Sequence, residues 1–327
     1  MSFCHKREFS ATCLINKDIH RERKQERIIE HILTLQKVID YIEEHVQEEM
    51  DPVHLAGLAG YSHYHFSKIF KKYTGYSTMD YVVKRKLQHA LYELFCGKKV
   101  IDIALDYGFH THAGFTKAFK KTFGSSPSLY KLHCPAVRPQ KPDLMNLHKR
   151  NVGGIVLQPK LVSRQPFTVV GQTFESSMKN ISFTRDEPAF WDERGLTDGD
   201  VERNLYRLFS PKRHGEYCMN INRNHEKFTY LFAVDYDEQH TLPEGYMIQK
   251  MPAANYAVFK TPAVSAEQFV STIKGTWRYI LEDWLPPSSY EVDEAVCDFE
   301  YYDEYCHYWD FEKIYMEIHL PIKKRAS

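Results

Sequence analysis

The segment Ser62 to Gly75, SHYHFSKIFKKYTG, returns about fifty residues later as Thr111 to Gly124, THAGFTKAFKKTFG. The copies agree position by position: Phe66 with Phe115, Lys68 with Lys117, Phe70 with Phe119, Lys71-Lys72 with Lys120-Lys121, Gly75 with Gly124, then Ser77 with Ser126 and Tyr81 with Tyr130. Phe66, Ile69, Phe70 and Tyr73 recur at the spacing of one helix face, which predicts burial. His63, Tyr64, Ser67, Lys68 and Lys71 point the other way, as the matched Lys120 does in the second copy. Ahead of each copy runs a short apolar helix ending in glycine, LAGLAGY and IALDYGF, with Gly60 and Gly108 supplying the turn. Helix, glycine turn and a helix with a polar outer face make a helix-turn-helix, whose second helix enters the major groove of DNA. One such pattern is weak; two in tandem, joined by a helix, confine this part of the chain to an all-α unit that reads double-stranded DNA.

The charge supports that partner. The whole chain is neutral, 43 Lys and Arg against 43 Asp and Glu, but residues 1–150 carry 24 against 16, a net of +8, and the remainder 19 against 27, a net of −8. Within residues 52–133 the count is 12 against 4, so the excess lies on the repeat itself, where a phosphate footprint needs it.

The connecting stretch TMDYVVKRKLQHALYELFCG reads as one long helix with Leu87, Ala90, Leu91 and Leu94 on its apolar face. Lys84 and Arg85 on it are candidate phosphate contacts, which position a protein without specifying sequence. Before the repeat, Ile32, Leu35, Ile39, Ile42 and Val46 predict an amphipathic helix that Asp51-Pro52 ends. Residues 1–30 are expected to be a mobile extension, and 31–133 the DNA-binding domain. Residues 134–155, with their prolines and glycine pair, are expected to be a linker, which makes a fragment ending near residue 134 a self-sufficient fold.

Residues 156–327 hold all four tryptophans and alternate in strand fashion at Phe167–Phe174, Phe228–Asp237, Tyr256–Thr261 and Lys313–Ile322, with helices near Asp200–Phe209 and Ala266–Trp284. Strand, helix, strand, strand occurs twice, predicting an α+β domain of two similar halves. The expected fold class is therefore α plus α+β. Seven cysteines without a CxxC pair fit a reduced, cytoplasmic chain; Cys297 and Cys306-His307 complete no metal-site spacing, and no cofactor or metal is expected. The start, MSFCHKREF, has no secretory apolar core, and no apolar run approaches the roughly 20 residues of a membrane span.

The tandem motif, above all IDIALDYGFHTHAGFTKAFKKTFGSSPSLYK, resembles the AraC/XylS family of bacterial transcription regulators. That resemblance implies sequence-specific DNA binding, with base-reading positions at Tyr64, Ser67 and Lys68 in the first copy and His112, Ala113, Thr116 and Lys117 in the second. It implies RNA polymerase as a further partner. Where the family often has arginine, this chain has Lys68 and Lys117, which lack the rigid bidentate fork.

The stretches NYAVFKT, TWRYILEDWLPPSSYEVD, FEYY and IYMEIHLPIK resemble the GyrI-like effector-binding domain, which implies a small-molecule effector. In KIYMEIHLPI the alternation puts Ile314, Met316, Ile318 and Leu320 on one face and Tyr315, Glu317 and His319 on the other. The resemblance places the glutamate at Glu317 at the bottom of an aromatic-walled cavity that takes cationic or amphipathic ligands. Trp277, Tyr256 and Tyr301 are the candidate walls, and a carboxylate among rings is expected to be protonated, hydrated or bonded to a tyrosine. Two other readings come from the same resemblance, a small-molecule hydrolase and a protein-binding module. No Gly-rich phosphate loop, GxSxG elbow or metal motif supports catalysis independently, so no enzyme activity is expected.

Overall fold

The computed structural model of the protein describes residues 27–134, 138–139, 141–145, 157–177, 200–222, 227–237, 242–306 and 313–325. The expected extension before residue 27, most of the expected linker, the stretch before Asp200, and Trp191 and Trp309 lie outside these residues.

The two copies of the repeat are built alike. Ser62 caps α3 (His63–Thr74) by accepting from His65 N at 3.4 Å, and Thr111 caps α6 (His112–Phe123) by accepting from Gly114 N at 3.0 Å. The turns before them carry Gly60 at φ 68° and Gly108 at φ 79°, a region a side chain would strain. Each helix ends in a glycine C-cap, Gly75 or Gly124. Ser77 then caps α4 (Thr78–Phe95) through Asp80 N, and Ser126 caps α7 (Pro127–His133) through Leu129 N, both at 3.2 Å.

What the copies pack against differs, because the chain divides into two compact units. One takes the chain up to Ala90 with Asp106–Gly108 and Pro139–Arg150; the other takes Leu91–Leu105, Phe109–Arg138 and everything from Asn151. In the first, helix α1 (27–44) lays Leu35, Val38, Ile39 and Ile42 against Leu55 of α2 (Pro52–Leu58), Phe66, Ile69 and Phe70 of α3, and Tyr81 and Val82 of α4. Phe66 and Phe70 are wholly buried, each contributing about 1.5–3 kcal/mol. The Asp51-Pro52 pair, expected as the stop of α1, is instead the start of α2. Asp51 accepts from His54 N at 2.9 Å, and Pro52 sits where a helix has no use for its missing N–H.

The second unit holds α5 (Val100–Asp106), α6, α7 and the α+β region. Its strands are β1 (Lys160–Arg164), β2 (Phe167–Ser177), β3 (Glu216–Ile221), β4 (Lys227–Asp235), β5 (Tyr246–Met251), β6 (Ala254–Lys260), β7 (Tyr290–Val292), β8 (Phe299–Tyr302) and β9 (Glu317–Lys324). The helices are α8 (Asp200–Phe209) and α9 (Ala266–Tyr279), which continues as a π-helical turn over Ile280–Trp284. Along the sheet the order is β1-β6-β9-β8-β3-β4-β2-β5, with β7 also paired to β9.

The two expected halves are therefore β2-α8-β3-β4 and β6-α9-β8-β9, joined where β3 pairs with β8. Each half lends a strand to the other: β1, which leads into β2, pairs with β6, and β5, which leads into β6, pairs with β2. Strand β3 was not among the expected runs because it is buried along its whole length, so no polar alternation marks it.

Antiparallel partners share a face, so the register sorts the side chains. Arg164 pairs with Ala254, Lys260 with Glu317, Phe299 with His319, and Tyr217 with Tyr301. Together with Tyr256, Val169 and Met251 these line one face, called here the ring face. Cys218, Glu300 and Ile318 pair on the opposite face, where α8 packs through Val201, Leu205 and Phe209.

Candidate nucleic-acid interface and effector site

Helix α3 shows an outer face as the repeat predicts. Tyr64 is 80% exposed, Lys68 and Lys71 are exposed and Ser67 is half-buried, while Phe66, Ile69 and Phe70 turn inward. On α6, His112, Ala113 and Lys117 are exposed and Thr116 is half-buried. Lys120 is half-buried, with Nζ 3.7 Å from Glu294. The basic residues sit in the last turn of each helix, Lys71-Lys72 and Lys120-Lys121, where they also favour the helix dipole.

The two candidate phosphate contacts on α4 fare differently. Lys84 donates to Tyr76 Oη at 2.9 Å and lies 4.4 Å from that ring's centre. Arg85 is only 4% exposed and corrects the expectation: it faces the core, not DNA. Its Nη2 donates to Glu43 Oε2 at 2.7 Å, its Nε to Oε1, and its Nη1 to Gln88. His89 Nε2 reaches Glu43 at 3.1 Å. Burial alone would raise the Glu43 carboxyl, but hydrogen bonds from His89 and Arg85 outweigh it and hold the carboxyl below its ordinary value.

The ring face carries the candidate effector site. Tyr256 and Tyr301 stand there with Glu317, as expected. The glutamate's partner is not a tyrosine, however: Glu317 Oε2 lies 3.0 Å from Nε2 of His319, two residues along the same strand. That hydrogen bond, opposed by burial and aided by the charges of Lys260 and Arg164, keeps the carboxyl below its ordinary value, so at neutral pH it is ionised, not protonated. His319 is 7% exposed, stacked on Phe299 at 4.5 Å and edge-on to Tyr256 at 6.1 Å and Tyr301 at 6.2 Å. Burial lowers its imidazole pKa, with the Arg164 charge adding to the effect, so the neutral ring donates through Nε2 to Glu317. Its Nδ1 and the Tyr256 hydroxyl are then buried polar atoms with no hydrogen-bond partner among the described residues. Tyr217 closes the group, 5.0 Å from Tyr301 and 5.3 Å from Phe299, its hydroxyl donating to Asp235 at 2.9 Å.

Trp277 does not belong to this wall. It projects from α9 on the other side of the sheet, 2% exposed, and its Nε1 donates to Glu300 Oε1 at 2.7 Å. Glu300 follows Phe299, and a one-residue step along a strand reverses the face. Trp277 instead stacks on His133, the last residue of α7, at 3.6 Å, and His133 Nε2 lies 2.6 Å from Asp298 with both side chains buried.

Arg164, His319, Phe299, Tyr217 and Phe167 were missed as site residues in the sequence. For His319 the signal was present, since it alternates with Glu317; Phe167 opens a strand the sequence did predict, but its face is set only by pairing, and for Arg164, Tyr217 and Phe299 the strands β1, β3 and β8 had to be recognised first. Cys306 Sγ donates to Tyr315 O at 2.8 Å, and burial pushes its pKa up to about 12. Among the described residues Glu202, His214 and Glu216 bring ligand atoms within 4.8 Å of one another, though the buried Glu216 already accepts from Tyr206 Oη at 2.6 Å. No described helix is long and apolar enough to cross a membrane.

Comparison with known proteins matches residues 55–132 to a family described as a helix-turn-helix domain, and residues 160–322 to one described as an integron-associated effector binding protein. The right origin-binding protein of Escherichia coli K12 is 33% identical over 257 residues, 74% of this chain and 83% of that one. The HTH-type transcriptional regulator YbfP of Bacillus subtilis is 35% identical over 98 residues, 30% of this chain, and the match spans only 33% of YbfP. Among solved structures, an integron cassette protein from Vibrio cholerae superposes on 51% of this chain and 97% of its own, at 15% identity and a TM-score of 0.33.

Proposed function

Since the chain belongs to the AraC-type helix-turn-helix transcription regulators with a C-terminal effector-binding domain, we propose that it reads its operator through α3 and α6 and answers a cationic or amphipathic effector held on the ring face. The observation that carries the first half is the matched outer faces: Tyr64, Ser67, Lys68 and Lys71 on α3, and His112, Ala113, Thr116, Lys117 and Lys120 on α6, opposite buried phenylalanines. The second half rests on an ionised Glu317 beside Tyr256, Tyr301 and Phe299, because ring faces attract a cation and the carboxylate balances its charge. We take residues 31–133 as the DNA-binding domain, 134–155 as linker and 156–327 as the effector domain, acting in the cytoplasm with RNA polymerase as a partner and without catalytic turnover. Turnover of a bound effector by the purified chain would instead favour the hydrolase reading.

Genome-wide binding would supply the operator. On it, Lys68→Ala or Lys117→Ala should weaken specific binding by about 1–3 kcal/mol. Lys99, exposed just beyond the end of α4, is a candidate phosphate contact, and Lys99→Ala should weaken operator and random DNA alike and reduce the salt slope by about one. Equal losses on both DNAs for all three variants would remove the base-reading assignment.

For the effector, Glu317→Gln retains size and hydrogen bonding but removes charge, and should reduce affinity for a cationic ligand by about 1.5–3 kcal/mol. Calorimetry with unchanged affinity in the Gln variant would take Glu317 out of the site. Because the carboxyl pKa is lowered, wild-type affinity should hold from neutral pH to below the ordinary carboxylate range and fall only as pH drops through the lowered value.

A further inference from the structure

We propose that Arg164 is a built-in occupant of the effector site, so that a cationic effector binds by displacing the protein's own guanidinium from the ring face. The inference rests on the reading of that face as the effector site and adds what regulates it.

Arg164 is the last residue of β1, and its pairing with Ala254 turns it to the same face as Tyr256 and Glu317. Its guanidinium carbon lies 4.6 Å from the centre of the Phe167 ring and 5.3 Å from that of Phe299. Phe299 is also the ring on which His319 stacks, and His319 holds Glu317. The cation therefore lies on the π surface that an incoming cation would use, within electrostatic reach of Glu317, Tyr217, Tyr256 and Tyr301.

Arginine is usually fixed by a bidentate carboxylate. Among the described residues Arg164 has no ion pair and no side-chain hydrogen bond; what holds it is the two rings and the more distant charges. Such an attachment is weak and reversible. Release also leaves the sheet intact, since β1 is an edge strand paired only with β6 and Arg164 is its terminal residue. A half-buried, flexible side chain at a strand end can swing into solvent where a core residue cannot.

Two consequences follow for selectivity. A neutral ligand gains nothing from Glu317 and must still displace a cation from the rings, so the site favours charge over bulk apolarity. The observed affinity of a cation is its intrinsic affinity reduced by the fraction of molecules in which Arg164 has swung away. With the guanidinium in place most of the time, removing it raises apparent affinity.

The test uses the full chain and benzyltrimethylammonium, titrated by calorimetry against wild type, Arg164→Met and Glu317→Gln. Methionine keeps an unbranched apolar stem and removes the charge. Arg164→Met is expected to bind the probe about tenfold more tightly than wild type, and Arg164→Lys to stay close to wild type. Wild-type protein with the Arg164 side chain isotopically labelled gives a readout that needs no variant: its δ-methylene and Nε–H resonances should be shifted upfield by the rings and return toward ordinary values as the probe is added. Unchanged or weaker binding by Arg164→Met, while Glu317→Gln still weakens wild type, would overturn the displacement and make Arg164 a spectator or a ligand contact. Arg164 resonances unmoved at saturation would overturn it equally. If the probe binds no variant, or binds all equally including Glu317→Gln, the effector-site reading itself fails and the inference falls with it.

Discussion

Replacing Arg85 by alanine is expected to destabilise the first compact unit by about 3–5 kcal/mol, the loss that follows when one partner of a buried ion pair is removed and the other stays charged. The partner is Glu43 on α1, whose two oxygens take Arg85 Nε and Nη2 while His89 reaches one of them. Glu43 is the clamp between α1 and α4, and α1 supplies Leu35, Val38, Ile39 and Ile42 to the core beneath α3. The loss should therefore spread to DNA binding even though Arg85 itself is buried. Urea denaturation of the full chain checks it. Converting both partners, Glu43→Leu with Arg85→Met, should recover much of the loss, because an apolar pair leaves no buried charge. A change below about 1 kcal/mol, as an exposed pair would give, would return Arg85 to the surface and revive a phosphate role. The pH dependence has a definite sign. Glu43 has a folded-state pKa below its unfolded value, so its contribution is fully present above the ordinary carboxylate pKa and is lost as pH falls through the lowered one. Arg85→Ala should flatten that acid limb.

Deleting the effector domain is expected to unlock the second helix-turn-helix but leave the first. In the second unit α6 and α7 lean on the α+β region through several contacts. Tyr130 Oη donates to Glu282 at 2.5 Å, Ser126 N to Glu294 at 2.9 Å, Val292 N to Gly124 O at 2.8 Å, and Arg325 Nη1 to Lys121 O at 3.1 Å. Leu132 enters the cluster of β2, β4 and α8, and His133 is held between Trp277 and Asp298. In a fragment of residues 27–134, amides of 112–133 should exchange at least about a hundredfold faster than in the full chain, near 2.7 kcal/mol. Those of residues 31–82 should keep their protection. Equal protection throughout would mean that the fragment is the self-sufficient fold the proline-rich boundary implied. In the full chain Trp277→Ala should reproduce part of the effect, since it removes the stack on His133 and leaves Glu300 without its indole donor.

This second result connects the two functions. The helix that carries Trp277 and ends in a π turn touches α7 on one side of the sheet, and the ring face proposed as the effector site is the other side. A ligand that shifted β8 through Phe299 would act on Asp298 and Glu300, its immediate neighbours in sequence, and these hold His133 and Trp277.

Much of this protein could be read before any coordinates. The repeat declared itself because both copies obey the same local rules: a Ser or Thr cap, phenylalanines at helical spacing, and a glycine where only a left-handed residue closes the helix. Such signals are local in sequence, so the sequence alone determines them. The strand, helix, strand, strand order of each half was legible in outline for the same reason, although β3 itself carried no alternation to mark it, and α8 lies at Asp200–Phe209 as expected. Glu317 and His319 on one side of β9, with Ile318 and Leu320 on the other, needed only the two-residue period of a strand. What local pattern could not decide was partnership. Arg85 looked like its neighbour Lys84, and only the approach of α1, forty-two residues away, made one a buried clamp and left the other near the surface. Trp277 and Arg164 were misplaced or unseen because membership of the ring face depends on strand pairing across the sheet, β1 with β6 and β8 with β9, which no stretch of chain encodes by itself. Tertiary structure also set the support of the second reading helix: a matching motif packs on α1 in one copy and on the effector domain in the other, because buried apolar surface takes whichever neighbour the fold brings to it.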